Sequence, residues 1–219
     1  YNVYDERVGK IRHIDTLSYD EIQINRKFYL SGKKELELLK RIRLSASDSY
    51  VRVKNGFATL FDDVFIGELP FMEYTIPVLK ASTGKWSRAF FPYDEKGSPL
   101  AYELLSESES VCRYLEDHAE RLLKGRKRSE TPDWFLYGRT QALKDVCILK
   151  YAVNTCIKGV GSIKLTEVPP GCGLYSGLYI LPDKWVTFDM LDRIIRNEEF
   201  IRYVSLLKNY KSGGYYTFN

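Results

Sequence analysis

The sequence is poor in the residues that build metal centres and disulfide frameworks. It has two histidines, His13 and His118, far apart in the chain. Its four cysteines, Cys112, Cys147, Cys156 and Cys172, form no C-x-x-C pair. Zinc sites show close ligand pairs, so this spacing argues against metal. A disulfide scaffold is a device of short secreted chains, so four reduced thiols in a cytoplasmic protein is the expectation. No apolar run approaches the ~20 residues that span a bilayer, and no membrane partner is expected. The phosphate loop G-x-x-x-x-G-K-S/T and the nucleophile elbow G-x-S-x-G are both missing. Asp94-Glu95-Lys96 is a scrap of a nuclease-like pattern, but Tyr93 and Gly97 beside it read as a turn. Internal repeats and low-complexity linkers are absent too.

What remains is an ordinary folding composition with a surplus of one residue type. The chain is 44% hydrophobic and 28% charged, which excludes disorder as its ground state. Seventeen tyrosines lift the aromatic share to 14%. A tyrosine ring packs like an apolar group, and its hydroxyl both donates and accepts, which suits a wet recognition surface as well as a core. The net charge of +4 and a pI near 8.7 permit a polyanionic partner without requiring one.

Periodicity predicts a mixed chain. Residues 22–30 begin with strand-like alternation, and Leu36, Leu39 and Ile42 follow at helical spacing after Ser31 as a cap. Strands are expected over 51–60, with Asn55-Gly56 as a turn or bulge, and over 63–68, 74–82 and 87–94. Ser98-Pro99 reads as a helix start. A helix over 109–124 carries Val111, Leu115, His118 and Leu122 on one stripe, with Gly125 as its stop and His118 as a satisfied boundary residue. Strands return over 147–153, 162–168 and 178–181. Thr187 and Asn197 then cap two helices in close succession, one with Leu191, Ile194 and Ile195, the other with Phe200, Ile201, Val204 and Leu207. The expected class is α+β in one domain over 1–219. Its parts are a β-rich block (1–94), a helical insert with a basic end (95–131), a second β-rich block (132–183), and a helical hairpin with a Gly/Tyr tail (184–219).

Five segments carry side chains suited to DNA. Trp134-Phe135-Leu136-Tyr137-Gly138-Arg139-Thr140-Gln141 puts Arg and Gln beside a glycine. Arg139 can grip the O6/N7 edge of guanine and Gln141 the N6/N7 edge of adenine, with Tyr137 as flanking aromatic. The competing structural reading makes Trp134 and Tyr137 core and pairs Arg139 with a carboxylate. Lys124-Gly125-Arg126-Lys127-Arg128 suits phosphates, as Arg126, Lys127 and Arg128 follow a helix C-terminus whose dipole also favours cations. Lys80, Ser82, Lys85 and Arg88 mix cations and a hydroxyl around a loop between two strands. Lys211 and Tyr215 flank the open backbone of Gly213-Gly214. Asn55-Gly56-Phe57-Ala58-Thr59 is the fifth.

Their order along the chain carries a resemblance. Asn55-Gly56 and Ala58-Thr59, then Asp63-Val64-Phe65-Ile66, resemble the G-x-x-T … F-I opening of the TaqI-like C-terminal specificity domain. Pro77 to Ser82 and Phe90-Phe91-Pro92-Tyr93-Asp94 look like its strand leading to I-F-P-Y-D. Trp134-x-x-Tyr137-Gly138-Arg139-x-Gln141 is similar to its W-Y-x-Y-G-R-x-Q, and Ser176-Gly177 and Gly213-Gly214-Tyr215-Tyr216-Thr217-Phe218 to its later motifs. The resemblance runs from about Gln23 to the end; the stretch from Cys147 to Cys172 departs from the pattern.

That family is the target-recognition part of adenine-specific DNA methyltransferases and fused type II restriction–modification enzymes. The resemblance implies a β-rich lobe of double-helix-like strands with inserted helices and a C-terminal helical hairpin. It implies a bacterial, cytoplasmic protein that recognises double-stranded DNA beside an N-terminal methyltransferase catalytic domain. S-adenosylmethionine would bind in that other domain. Here the Asn/Asp-Pro-Pro-Tyr/Phe tetrapeptide and the methyl-donor loop are missing: Pro169-Pro170 lies between Val168 and Gly171. The chain starts at Tyr1 without an initiator Met. We therefore expect a fragment without catalysis of its own. Two other readings stay open: an interaction module with little DNA contact, and a nuclease with a divergent site.

Overall fold

A computed structural model describes residues 1–7, 9–44, 50–124, 133–207 and 210–218. The fold is α+β, and the chain divides into two compact units that interleave along the sequence. The first comprises 1–50, 156–163 and 189–219; the second comprises 51–155 and 164–188.

The first unit begins with a two-stranded ladder, β1 (Asn2–Arg7) against β2 (Lys10–Thr16). A single helical turn, α1 (Tyr19–Ile22), follows, closed by a capping box between Ser18 and Glu21. Residues 22–30, expected as one strand, instead fold back as β3 (Gln23–Ile24) and β4 (Lys27–Phe28). Asn25 and Arg26 between them both take positive φ, 49° and 63°, the signature of a two-residue turn that matches strand twist. The next helix, α2 (Lys33–Leu44), has its first N–H group capped from a distance: the Asp15 carboxylate accepts from Lys33 N at 2.8 Å. Ser31, expected as the cap, is buried and its hydroxyl makes no hydrogen bond among the described residues. Leu17, Ile22, Ile24, Leu36 and Leu39 form this unit's core with Leu206.

The second unit takes up the chain at β5 (Val51–Asn55). Residues 63–68, expected as a strand, contain a helical turn, α3 (Asp62–Phe65). A hairpin follows, β6 (Thr75–Lys80) and β7 (Lys85–Phe90). Ser98-Pro99 does not start a helix. The Asp94 carboxylate accepts the N–H groups of Lys96 and Ser98, closing a turn, and helix α4 begins later (Tyr102–Ser106). Helix α5 (Glu109–Lys124) matches its expected bounds, and Gly125 lies outside the described residues. Its stripe of Val111, Leu115 and Leu122 is fully buried. That burial stabilises by about 1.5–3 kcal/mol per side chain. His118 is half-buried, with Nδ1 2.8 Å from the Tyr114 carbonyl.

Strand β8 (Lys150–Val153) leads into β9 (Cys156–Ile157) of the first unit, and the chain returns as β10 (Leu165–Val168), β11 (Gly173–Tyr175) and β12 (Leu178–Pro182). In the second unit the sheet order is β10-β8-β12-β5, all antiparallel, beside β11-β6-β7, in which β11 runs parallel to β6. The last elements are α6 (Phe188–Ile195), α7 (Glu198–Leu206), β13 (Tyr210–Lys211) and β14 (Tyr215–Thr217). Asn197 caps α7, its side chain accepting from Glu199 N at 2.8 Å. Leu191 and Ile195 are buried but Ile194 is exposed, and Leu206 is buried more fully than the expected Leu207. Among the described residues no helix is long and apolar enough to cross a membrane.

Candidate nucleic-acid interface

Strand pairing brings four segments of the second unit together. Phe57 bridges in parallel to Tyr175, and Ala58 bridges antiparallel to Arg139. Tyr175 is the register partner of Lys80. Ser82 N donates to Ser176 O at 3.0 Å, and their hydroxyls lie 3.1 Å apart. The segments 56–60, 80–85, 138–141 and 175–177 therefore form one cluster of loops on two sheets. Loops set on a rigid sheet are where recognition residues usually sit.

The 80–85 hairpin is the polar loop that the sequence predicts. Thr83 and Gly84 both donate to Lys80 O, and Gly84 takes φ 72°. Lys164 reaches across from before β10 and donates from Nζ to Thr83 O at 2.9 Å. Lys80 holds its ammonium 5.8 Å from the Tyr175 ring centroid, where the ring face attracts a cation. Lys85 is exposed and has no side-chain partner among the described residues. Arg88 sits three residues further along β7, with Nη1 donating to Thr75 Oγ1 at 3.1 Å.

The 134–141 segment divides into anchor and tip. Tyr137 is 4% exposed, so its ring cannot flank a base. It packs against Phe57, Phe65, Phe91 and Tyr93 with centroids 4.8–6.2 Å away. Its hydroxyl donates to Phe90 O, and its N–H donates to the Tyr93 hydroxyl at 2.6 Å. Burial, with the nearby Tyr93 and Asp62, pushes the Tyr137 phenol well above its ordinary pKa. Trp134 is half-buried against Tyr102 and Phe135. The structural reading thus holds for these two aromatics but fails for Arg139. Arg139 is exposed, and its guanidinium has no partner among the described residues. Gln141 donates one amide hydrogen to Gly56 O at 3.2 Å and keeps its oxygen and second hydrogen.

Gly138 makes room for the side chain of Leu60. A Cβ there would stand 2.3 Å from Cδ1 of Leu60. Gly56 is needed more strictly, because a Cβ there would stand 2.5 Å from a backbone atom, Leu174 O. Asn55-Gly56 is accordingly no hairpin turn. It is the point where β5 passes closely over β11, with Phe57 N donating to Leu174 O at 3.0 Å.

Beneath the tip the chain is locked by buried charge. Burial pushes the Asp145 carboxyl up, but hydrogen bonds from Lys54 and Tyr179, each 2.6 Å, outweigh it and hold the pKa below its ordinary value. Lys150, 2% exposed, donates to the carbonyls of Asp145, Val146 and Ile148 at 2.8, 3.3 and 3.0 Å. Burial lowers its pKa to about 8. These bonds fix residues 145–148, which follow Gln141 in the chain.

No protein-family model matches the chain, and no curated protein matches it.

The remaining expected residues lie elsewhere. Arg126, Lys127 and Arg128 fall outside the described residues. Lys211 and Tyr215 belong to the first unit, where β14 pairs with β13 and β9, and Lys158 Nζ stands 5.9 Å from the Tyr215 ring centroid. Sequence reasoning missed Leu60, Lys164 and Tyr175 as members of the loop cluster. Lys164 and Tyr175 join it through contacts 81 and 95 residues long, which no local pattern signals.

Proposed function

We propose that this chain is a double-stranded DNA recognition domain of an adenine-N6 methyltransferase. On this reading the catalytic domain, with its S-adenosylmethionine, lies in another part of the protein and the chain itself is not an enzyme. One observation carries the reading: the loop cluster gathers Lys80, Lys85, Lys164, Arg139 and Gln141, three lysines beside an arginine and a glutamine suited to base edges, from three separate segments. Lys80, Lys85 and Lys164 would bind phosphates and set the register. Arg139 and Gln141 would read purine edges in the major groove. The ordered motif resemblance supplies the methyltransferase context.

The experiment is selection from a randomised duplex pool at low and near-physiological salt, with the bound pool sequenced. A short motif that survives the higher salt supports the reading. Binding without a motif leaves a backbone clamp.

A second reading has its own observation. In the first unit Tyr1, Tyr19 and Phe28 are exposed and touch in series, with centroids 6.5 and 5.1 Å apart. Exposed contiguous apolar surface of this kind marks protein contact. An interaction module with little DNA affinity would bind no duplex at either salt.

A further inference from the structure

Two non-glycine residues of the loop cluster take positive φ, Ser176 at 54° and Leu60, and Leu60 is the apolar one. Its φ is 71°, in the left-handed region where a side chain costs about 1–2 kcal/mol relative to an unstrained backbone. Burial does not offset that cost, because Leu60 is 59% exposed. The conformation is imposed from both sides. Thr59, fully buried, accepts Phe61 N–H at 3.1 Å and donates to Asp62 Oδ1 at 2.6 Å. The branched end of Leu60 lies over Gly138, immediately before Arg139. A leucine is thus held open to solvent, next to the base-reading candidates, where glycine would sit without strain.

We infer that Leu60 is a specificity residue that contacts the C5-methyl group of a thymine in the major groove, beside the purine read by Arg139 or Gln141. The thymine methyl is the one apolar group on the major-groove edge of the four bases. Leu60 supplies the complementary apolar surface, and its rigid backbone keeps the contact from costing conformational freedom on binding. This inference rests on the DNA reading above.

The test uses the whole chain and the motif recovered by selection. Each thymine in the motif is replaced in turn by deoxyuridine, which removes only the methyl. We expect one position where wild type loses about fourfold in affinity, the worth of one buried methyl group. Leu60→Gly, which relieves the backbone, should bind the thymine and deoxyuridine duplexes equally while keeping its salt dependence. Leu60→Ala, which keeps the backbone restriction, serves the same comparison should the glycine variant melt early. An unchanged thymine preference in both variants, or a motif without such a thymine, overturns the role of Leu60 and leaves the DNA reading intact. No motif at either salt overturns both.

Discussion

The Tyr137 hydroxyl donates to the main-chain oxygen of Phe90, tying the segment that carries Arg139 to the end of the β6–β7 hairpin. The bond is buried, so deleting the donor strands an acceptor. Tyr137→Phe should cost about 1–2 kcal/mol of stability in denaturant titration. On a selected duplex the variant should keep the wild-type order of site preference, because the ring anchors the tip and does not touch DNA.

Arg139 should carry sequence choice. Replacing it with Ala is expected to weaken binding to the selected site by about 1–3 kcal/mol and to leave scrambled duplexes little affected. Equal weakening on every duplex would move Arg139 to the phosphates.

Lys80 and Lys85 should carry affinity instead. The double replacement by Ala should weaken all duplexes alike, and the slope of log affinity against log salt should fall by about 1.8 if both meet phosphates. An unchanged slope would remove this loop from the interface.

Gly56→Ala would place a Cβ against backbone, the Leu174 carbonyl oxygen, which cannot swing aside. The expected loss is about 1–3 kcal/mol, read from the shift in denaturation midpoint.

Lys150 links stability to pH. Its folded pKa of about 8 lies below the ordinary lysine value of 10.5, so between those values the unfolded chain holds more protons. Stability contributed by this group therefore rises with pH across that window and is lowest below it. Lys150→Met should cost about 2–4 kcal/mol at neutral pH, as three carbonyls lose their donor. The gap between wild type and variant should widen from pH 8 to pH 10. A gap that narrows would mean that the ammonium is held charged by its carbonyls against burial.

Helix α5 and the α6–α7 pair are legible in the sequence, because Val111, Leu115 and Leu122 recur at helical spacing and Asn197 is a capping residue. The hairpin at Asn25-Arg26 is not, since neither residue is glycine and Ile22, Ile24, Phe28 and Leu30 keep the same two-residue phase on either side of it. Residues 63–68 misread as a strand because Thr59 and Asp62 start a helical turn through side-chain bonds that periodicity does not encode. In the candidate site Lys80, Lys85, Arg139 and Gln141 are legible from residue chemistry. Tyr137 is not, because the same ring suits surface and core, and only the surrounding aromatics decide. Leu60 is invisible to sequence, as strain resides in a dihedral angle.

The chain passes between the two units four times, near residues 50, 155, 163 and 188. Neither unit is therefore a stretch of sequence. A gene cut at 155 or 163 encodes neither unit whole, and a cut at 50 or 188 leaves only the second unit whole. Recombination that traded one unit for a relative's would have to splice several pieces at once. The loop cluster lies within 51–188, a stretch that also carries 156–163 of the other unit, so exchange of that stretch moves a piece of the first unit with it.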